Sequence, residues 1–257
     1  MRDQKREQGR YFDEPEDPEF ETHRPHGSGR LYGFLMKYKF RTLINQSPQP
    51  LRGMKVLNVC CGSGMDAEFL ASAGAEVTAL DISSNAVKRA KNRSDIYGFR
   101  VTLVVGDAEH LPFRNQAFDF CVVHDGLHHL PLPHLGIREM CRVSSKGVLV
   151  IEPANAVVTR LAVKLGLSID VEEAGNYVYR LSRAELHSLF ESLGFTMASF
   201  KRYFMYYHHK PKSFYRIFDF LPFFFVFASI FHILNAISGR WGNKLSLCAL
   251  RRSKTLS

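Results

Sequence analysis

The residues best suited to chemistry lie in a glycine-containing segment near residue 60. The segment VLNVCCGSGMDAEFLASAGAEVTALD (56–81) runs from an apolar stretch through a Gly-Ser-Gly turn into a helical pattern, then into a second apolar stretch ending at Asp81. Gly62 and Gly64 would let backbone N–H groups approach a ligand closely at the start of a helix. Asp81, at the end of a predicted strand, is suited to accept hydrogen bonds from ribose hydroxyls. The segment therefore predicts a nucleotide-binding loop.

The elements that must position this loop alternate between strand and helix patterns. Strands are predicted for KVLNVC, EVTALD, VTLVVGD, FDFCVVH, KGVLVIEP, FTMASFKRYFMYY and GNKLSLCALRR. Helices are predicted between them, with Ser83 or Ser84 and Ser182 as N-caps and Gly74, Gly98 and Gly194 as stops. This alternation predicts an α/β domain with a largely parallel sheet covered on both faces. A chain of 257 residues is long enough for one such domain.

Two classes of nucleotide compete for the loop. The stretch from Gly62 to Ala67 fits the dinucleotide form G-x-G-x-x-A, which would make the protein an NAD(P)-dependent oxidoreductase. Two later segments argue against it, GDAEHLPF (106–113) and FDFCVVHDGLHHL (118–130). Together the three segments resemble the class I S-adenosylmethionine-dependent methyltransferases, in particular the small-molecule group, over about residues 52–200 and 242–251.

The resemblance implies a fold and a set of binding roles. The fold is a Rossmann-like seven-stranded sheet, mostly parallel, with helices on both faces and an antiparallel last strand within residues 242–251. The implied cofactor is S-adenosyl-L-methionine. Gly62 and Gly64 would line its methionine end, Asp81 would hold the ribose, and Asp107 would accept from the adenine amino group near the Ala108 N–H. Phe113 would pack near the adenine, and His124 would lie beside the methionine moiety.

Two positions depart from the family pattern. Asn58 stands where the first strand usually carries an acid, and Cys60 replaces the first glycine of the loop. Asparagine keeps a hydrogen-bonding side chain of the same shape but loses a negative charge that a cationic cofactor would feel. Asn58 is still expected to contact the cofactor. These departures leave a non-catalytic S-adenosylmethionine-binding protein as an alternative to an enzyme.

The histidines after the fourth predicted strand are candidates for catalysis. His128 or His129 is suited to act as a general base toward a hydroxyl group, although one of them is expected to pack against the following turn. A metal site is not expected, because no Cys pair and no H-x-x-x-H helix accompanies them. The substrate wall, or simple surface, is the expected place of five further side chains: Glu152, Tyr206, Tyr207, His208 and His209.

The net charge of +9 and many of the phenylalanines are concentrated near the end of the chain. Residues 201–257 contain ten Lys or Arg, one acid and nine of the 21 Phe. A Phe-rich insertion at about 213–241 is expected to meet the protein core, a second copy in a homodimer, or a membrane surface. Five cations near it would suit anionic lipid headgroups: Lys210, Lys212, Arg216, Arg240 and Lys244. Nucleic acid is not the expected partner, because HDGL replaces the Asp/Asn-Pro-Pro-Tyr/Phe element of base-methylating enzymes.

Composition completes the expectation for the whole chain. Five cysteines, two of them adjacent, indicate a reducing compartment, and the polar start predicts no signal peptide. Residues 1–27 are expected to form a mobile charged arm, and residues 28–257 the methyltransferase domain. The expected function is S-adenosylmethionine-dependent methyl transfer to a small-molecule or lipid-like acceptor, with oxygen as the favoured acceptor atom and carbon or nitrogen as alternatives. The expected location is the cytoplasm, and peripheral membrane contact is an alternative to the favoured packing of the insertion on the core or on a second copy.

Overall fold

The computed structural model describes residues 2–164, 177–207, 211 and 213–253. Seven strands form one sheet: β1 Lys55–Val59, β2 Glu76–Asp81, β3 Thr102–Val105, β4 Phe118–His124, β5 Ser144–Pro153, β6 Phe195–Tyr203 and β7 Lys244–Arg251. Their order is β3-β2-β1-β4-β5-β7-β6, and β7 runs antiparallel to both of its neighbours. The predicted Rossmann-like fold, with an antiparallel last strand, is confirmed.

Nine α-helices are assigned in the part of the chain that the structure describes. They are α1 Arg2–Asp13, α2 Pro18–His23, α3 Arg30–Ile44, α4 Met65–Ser72, α5 Ser84–Tyr97, α6 Pro133–Val143, α7 Val157–Lys164, α8 Arg183–Ser192 and α9 Leu221–Ser238. The predicted caps are confirmed at both ends of α5, where the Ser83 side chain accepts from the Ala86 N–H and Gly98 is left-handed. A capping box of Ser182 and Glu185 begins α8.

The central strands are apolar on both faces, which explains why helices cover the sheet on both sides. Successive strand side chains point to opposite faces. Leu57 and Val59 of β1 join one buried cluster, whereas Val56 joins the other. Strand β4 divides in the same way, with Cys121 and Val123 on the first face and Phe120 and Val122 on the second. Burial of both faces demands two helical layers and so fixes the three-layer architecture.

Parallel register brings the carboxyl ends of five strands to one edge of the sheet. Val59 at the end of β1 pairs with Leu80 of β2 and with Val123 of β4. Asp81 pairs with Val105, and His124 pairs with Ile151. The loops that follow these strands therefore meet in space although they are far apart in sequence. This is the edge at which open α/β sheets bind their ligands.

The N-terminal segment, for which the sequence predicts a mobile or loosely docked charged arm, contains helices α1 and α2. Helix α1 has few apolar residues, so hydrophobic periodicity gave no signal. It is held by polar contacts with the domain instead, such as the ion pair between Lys5 and Asp107. Helix α2 begins at Pro18, and the Asp17 side chain caps it by accepting from the Phe20 N–H. The Asp-Pro pair is the sequence signal that identifies this start.

The Phe-rich insertion forms a short 3-10 helix over Ser213–Asp219, then α9, then a 3-10 turn over Gly239–Trp241. One side of α9 packs against α3, where the Phe34 ring contacts Phe224 and Phe231 at centroid distances of 5.5 Å. Lys244 does not face this region as expected, because it belongs to β7 and pairs with Asp125 inside the protein. Four other candidate residues, His208, His209, Lys210 and Lys212, lie outside the described residues.

Candidate cofactor and acceptor site

The loop between β1 and α4 has the predicted ligand-binding backbone. Gly62 and Gly64 have φ values of +51° and +84°, in the region that favours glycine. The Gly62 N–H donates to Asp81 Oδ2 at 2.8 Å, so the loop is fixed to the end of β2. A Cβ atom at Gly64 would lie 2.9 Å from the Ala90 Cβ, whereas at Gly62 it would meet nothing within 4 Å. Gly64 therefore serves helix packing, and Gly62 borders open space.

The Asp81 carboxylate is buried and already anchored by the backbone. Its Oδ1 accepts from the Ser83 N–H at 3.0 Å, while Gly62 binds the other oxygen. Burial nevertheless raises the pKa of Asp81, since desolvation outweighs these two hydrogen bonds. A further donor, such as a ribose hydroxyl, would stabilise the ionised form. The geometry is thus compatible with the ribose-binding role implied by the resemblance.

Cys60 has a strained backbone conformation, and Gly126 leaves room for its side chain. Its φ of +55° is unusual for a residue with a side chain and costs roughly 1–3 kcal/mol. A Cβ atom at Gly126 would lie 2.5 Å from the Cys60 Cβ, so glycine at 126 leaves the space that the Cys60 side chain needs. Burial raises the pKa of the Cys60 thiol well above its usual value, which argues against a thiolate nucleophile.

Asn58 is the clearest sign that a ligand belongs beside β1. Its side chain is fully buried, and neither Nδ2 nor Oδ1 has a hydrogen-bond partner within the described residues. Buried polar groups are nearly always paired, because leaving one unsatisfied costs free energy. The amide oxygen would accept from an ammonium group and the amide nitrogen would donate to a carboxylate. The methionine end of S-adenosylmethionine carries both groups, so the residue fits that cofactor.

The predicted adenine acceptor, Asp107, is already engaged by helix α1. Its Oδ2 lies 2.6 Å from Lys5 Nζ, and its Oδ1 accepts from the Glu109 N–H at 2.9 Å. Burial would raise the pKa of Asp107, but these donors outweigh it and lower the pKa. Ala108 is buried beside it. Because Lys5 occupies the same carboxylate, an adenine amino group would have to share or displace the contact.

Three more residues of helix α1 make contacts around the candidate cofactor groove. The Gln8 side chain donates to the His129 carbonyl oxygen, and the Phe12 ring packs edge-on against the His129 ring at 5.1 Å. Asp13 Oδ1 accepts from the Ser83 hydroxyl at 2.6 Å and from the Asn85 N–H at 3.1 Å. Sequence reasoning missed all four α1 residues, because polar contacts to distant loops leave no periodic pattern.

His124, predicted beside the methionine moiety, is held by a partner that the sequence did not reveal. Its Nδ1 lies 3.0 Å from Asp66 Oδ1, and its ring packs on Phe40 at 4.8 Å. Asp66 lies in the first turn of α4, where a negative charge is favourable. The sequence signal that could have identified Asp66 as a site residue is its position directly after the glycine loop, at the start of a predicted helix.

A buried charge cluster surrounds Asp125, the residue after β4. Lys39 Nζ lies 2.6 Å from Asp125 Oδ2 and 2.8 Å from the Tyr207 hydroxyl, and Lys244 Nζ binds the other oxygen of Asp125. Tyr207 also donates to Asp125 Oδ2 at 3.1 Å. Burial would raise the pKa of Asp125, but the charges of Lys244 and Lys39 hold it well below its usual range. With two lysines and one carboxylate, the cluster carries excess positive charge.

The two candidate bases differ in their surroundings. His128 is buried, and its Nδ1 lies 2.7 Å from Glu152 Oε2. The other Glu152 oxygen accepts from the N–H groups of Gly126 and Leu127 at 2.8 and 2.6 Å. Glu152, proposed as part of the substrate wall, is therefore fully buried and orients the His128 loop. His129 lies closer to α1, against Phe12.

Three side chains, those of Asp125, His128 and Glu152, have potential metal-ligand atoms within 4.8 Å of one another. This spacing could in principle hold a metal ion. Asp125 is bound by two lysines, and both Glu152 oxygens accept hydrogen bonds from the loop. A divalent cation would have to enter beside two ammonium groups. These electrostatics favour a hydrogen-bonded network over a metal centre.

The remaining candidates separate into buried and exposed positions. Tyr207 joins the Asp125 cluster, whereas Tyr206 is 67% exposed. Phe113 packs edge-on against Phe118 at 4.9 Å and contributes to the hydrophobic core. His134 pairs with Glu185 near the surface.

Comparison with known proteins agrees with this geometry. The family described as methyltransferase domain matches residues 57–151, the span from β1 to β5. This match over about a third of the chain, together with the fold, supports a class I S-adenosylmethionine-dependent methyltransferase. The cofactor of this family is S-adenosylmethionine, as predicted.

Two relatives are demethylmenaquinone methyltransferases. The protein from Renibacterium salmoninarum is 34% identical over 109 residues, and that from Staphylococcus aureus is 37% identical over 103 residues. The matches cover 42% and 39% of this chain, and 44% and 42% of those relatives. The chain thus spans less than half the length of the relatives that it matches.

Solved structures show the same fold. A magnesium protoporphyrin IX methyltransferase from Synechocystis, crystallised with S-adenosylhomocysteine, has a TM-score of 0.66 at 16% identity and covers 97% of this chain and all of its own. A 4+2 cyclase has a TM-score of 0.59 at 20% identity, covering 88% of this chain and 84% of its own. At these identities the likeness establishes the fold of this chain and not its reaction.

Replacing Asp81 is expected to weaken the binding of S-adenosylhomocysteine, the product formed from the cofactor. Asp81→Ala should lower the affinity for S-adenosylhomocysteine about ten- to a hundredfold. This loss corresponds to charge-assisted hydrogen bonds worth roughly 1.5–3 kcal/mol. Isothermal titration measures the change, and Asp95→Ala, at an exposed site on α5, is the matched control. Asp107→Ala should have a smaller effect. A dissociation constant that Asp81→Ala leaves unchanged would remove Asp81 from the site.

Removing the Lys5 side chain is expected to strengthen binding. If Lys5 competes with adenine for Asp107, Lys5→Ala should raise the affinity for S-adenosylhomocysteine about two- to tenfold. The reason is that a larger fraction of the protein would have Asp107 ready to bind adenine. Lys91→Ala, which removes an exposed ion pair with Asp95, should leave affinity unchanged. Weaker binding by Lys5→Ala would show that Lys5 supports the ligand instead of competing with it.

The Asp125 cluster should dominate stability at this edge. Asp125→Asn leaves two buried lysines unpaired and is expected to lower the free energy of unfolding by about 3–5 kcal/mol. Asp95→Asn, at an exposed pair, should change it by less than about 1 kcal/mol. Because the folded pKa of Asp125 is lowered, its contribution is present at neutral pH and is lost only as pH falls below about 4. Urea denaturation should give the same difference in unfolding free energy between the two variants at pH 7 and at pH 5. A loss of less than about 1 kcal/mol in Asp125→Asn would show that the Asp125 cluster does not stabilise the fold.

Proposed function

We propose that this chain transfers the methyl group of S-adenosylmethionine to an oxygen of a small, lipid-like acceptor. The observation that carries the proposal is the oriented pair of His128 and Glu152, at the same sheet edge as the glycine loop. When bound, S-adenosylmethionine supplies an electrophilic methyl group on a sulfonium centre. The chain then has to bind, orient and exclude water, and has to accept a proton from the acceptor.

The binding residues would each hold a different part of the cofactor. Asp81 would accept from the ribose hydroxyls and Asp107 from the adenine amino group, while Asn58 would satisfy its buried amide on the methionine end. Gly62 and Gly64 would line that end, and His124 would lie beside it. Helix α1, through Lys5 and Phe12, would cover the groove and limit the access of water.

His128 is the better candidate of the two bases. A carboxylate only accepts hydrogen bonds, so Glu152 fixes the His128 tautomer with its proton on Nδ1, which makes Nε2 the basic nitrogen of the ring. This is the usual arrangement of a base oriented by a third group. The nearby ammonium groups of Lys39 and Lys244 would stabilise an acceptor oxygen as it loses its proton.

An apolar acceptor of the quinol type is favoured. The relatives named above are demethylmenaquinone methyltransferases, which supports a quinol-type acceptor, while the choice of oxygen depends on the oriented His128. The exposed helix α9 suits a protein that meets lipid or a second copy of itself. We therefore place the protein in the cytoplasm, at the surface of a membrane.

A binding protein without turnover is the second candidate. One observation favours it, the absence of an acid at Asn58, where the family usually carries one. A nicotinamide cofactor is the third, because the loop also fits G-x-G-x-x-A. Titration with S-adenosylhomocysteine and with NADH distinguishes the two ligands, and only a tighter S-adenosylhomocysteine complex agrees with methyl transfer.

Turnover with a quinol acceptor tests the proposal. Demethylmenaquinol and its mono-O-methyl ether are incubated with S-adenosylmethionine, and mass spectrometry locates the new methyl group. His128→Ala should lower kcat about a hundredfold or more while leaving S-adenosylhomocysteine affinity within twofold.

His134→Ala is the matched control, since His134 also pairs with a glutamate but lies near the surface. It should retain the activity of the unmodified protein. Methylation on carbon would overturn the choice of oxygen, and full activity of His128→Ala would overturn its role as the base.

A further inference from the structure

The outer side of helix α9 is an exposed apolar stripe that the proposed site does not use. Its members recur at intervals of four, three and four residues, which places them on one side of an α-helix. They are Val226, Ile230, Ile233 and Ile237, exposed by 59%, 60%, 59% and 71%. Large aliphatic side chains rarely lie so exposed in a contiguous row on a soluble monomer, so the stripe indicates an interaction surface.

The opposite side of α9 is attached to the protein. Phe231 is buried and packs edge-on against Tyr38 of α3 at 4.9 Å. Near the end of the helix, Asn235 Oδ1 accepts from the Phe204 N–H at 2.7 Å and Nδ2 donates to the Phe204 carbonyl oxygen at 3.3 Å. The helix is therefore fixed along its length, with its apolar stripe facing outward.

Exposed cations surround this helix. Arg30 lies over the Phe224 ring at 5.7 Å, and Arg240 lies over the Trp241 ring at 4.2 Å. Lys37 and Arg41 lie on the same side of α3 as Phe34 and Tyr38, which contact α9, and both are exposed. The 3-10 helix before α9 adds exposed Arg216. Within residues 213–241 the sequence has one acid, Asp219.

We propose that α9 lies in the plane of an anionic bilayer surface, with the outer stripe among the acyl chains and the surrounding cations on the headgroups. This deepens the proposed function, since it adds a lipid partner to a lipid-like acceptor. Apolar burial and attraction to anionic lipid act together in interfacial helices. The aromatic ring of Trp241 at the end of the helix suits the headgroup boundary.

Two other arrangements fit the observations less well. The segment Leu221–Trp241 has the length and composition to cross a membrane, but the inner side of α9 is packed on α3 and tied to Phe204. Crossing would require these contacts to break. A symmetric pair of copies joined through the stripe would bring the same cations toward one another, which is unfavourable. An anionic surface instead complements them.

Co-sedimentation with lipid vesicles tests the proposal on the full chain. Vesicles of phosphatidylcholine with 30% phosphatidylglycerol, about a third anionic, match the surface expected here. The protein should bind them, should bind pure phosphatidylcholine vesicles at least tenfold less, and should be released as salt rises. Lys37→Gln with Arg41→Gln should weaken binding about thirtyfold, which corresponds to about 1 kcal/mol for each cation.

Ile230→Asp with Ile233→Asp should abolish vesicle binding, while thermal unfolding and S-adenosylhomocysteine affinity remain unchanged, because both side chains are exposed. Gln49→Asp with Ser192→Asp adds the same charge at exposed sites outside α9 and should bind vesicles like the unmodified protein. Failure to bind anionic vesicles, with normal S-adenosylhomocysteine binding, would overturn the lipid proposal alone. A dimer in sedimentation velocity that Ile230→Asp with Ile233→Asp converts to a monomer would assign the stripe to a second copy.

Discussion

The carboxylate of Asp125 joins parts of the chain that are more than 200 residues apart. Lys39 comes from α3, Tyr207 from the segment after β6 and Lys244 from the start of β7, and all three meet Asp125 at the end of β4. A buried charge is costly unless it is paired, so these segments can reach their folded positions only together. The interaction fixes α3 across the sheet edge, and α3 in turn carries α9.

The opposite end of the same edge is organised by Asp81 and Asp107. Asp81 receives the N–H of the glycine loop, and Asp107 receives Lys5 of α1. Acidic groups at the ends of consecutive strands thus serve two purposes, since they fix the backbone and offer acceptors to a ligand. The same electrostatics explain why α1 docks here although it has little apolar surface.

Much of the fold could be predicted from the sequence, because local patterns determine it. Apolar strands, serine caps and glycine stops identified all seven strands and the helices between β1 and β6, apart from α7. The glycine loop and the ends of β2 to β4 likewise identified the residues proposed to bind the cofactor. What escaped prediction depends on contacts between distant segments. Lys39 looks like an ordinary polar residue of α3, and Glu152 like the end of a strand, until Asp125 and His128 are placed beside them.

The residues proposed for the cofactor and the segments proposed to distinguish acceptors lie in different parts of the chain. The family match spans residues 57–151 and includes the glycine loop, Asp81, Asp107 and the histidines. Helix α1, α3 with Lys39, and α9 all lie outside that span. The shared segment supplies the residues that would hold a common cofactor, whereas the segments outside it supply the groove cover, part of the charge cluster and the apolar stripe. Differences in acceptor between proteins that share this segment are therefore best sought in α3 and α9, because α1 also contacts Asp107, the proposed adenine acceptor.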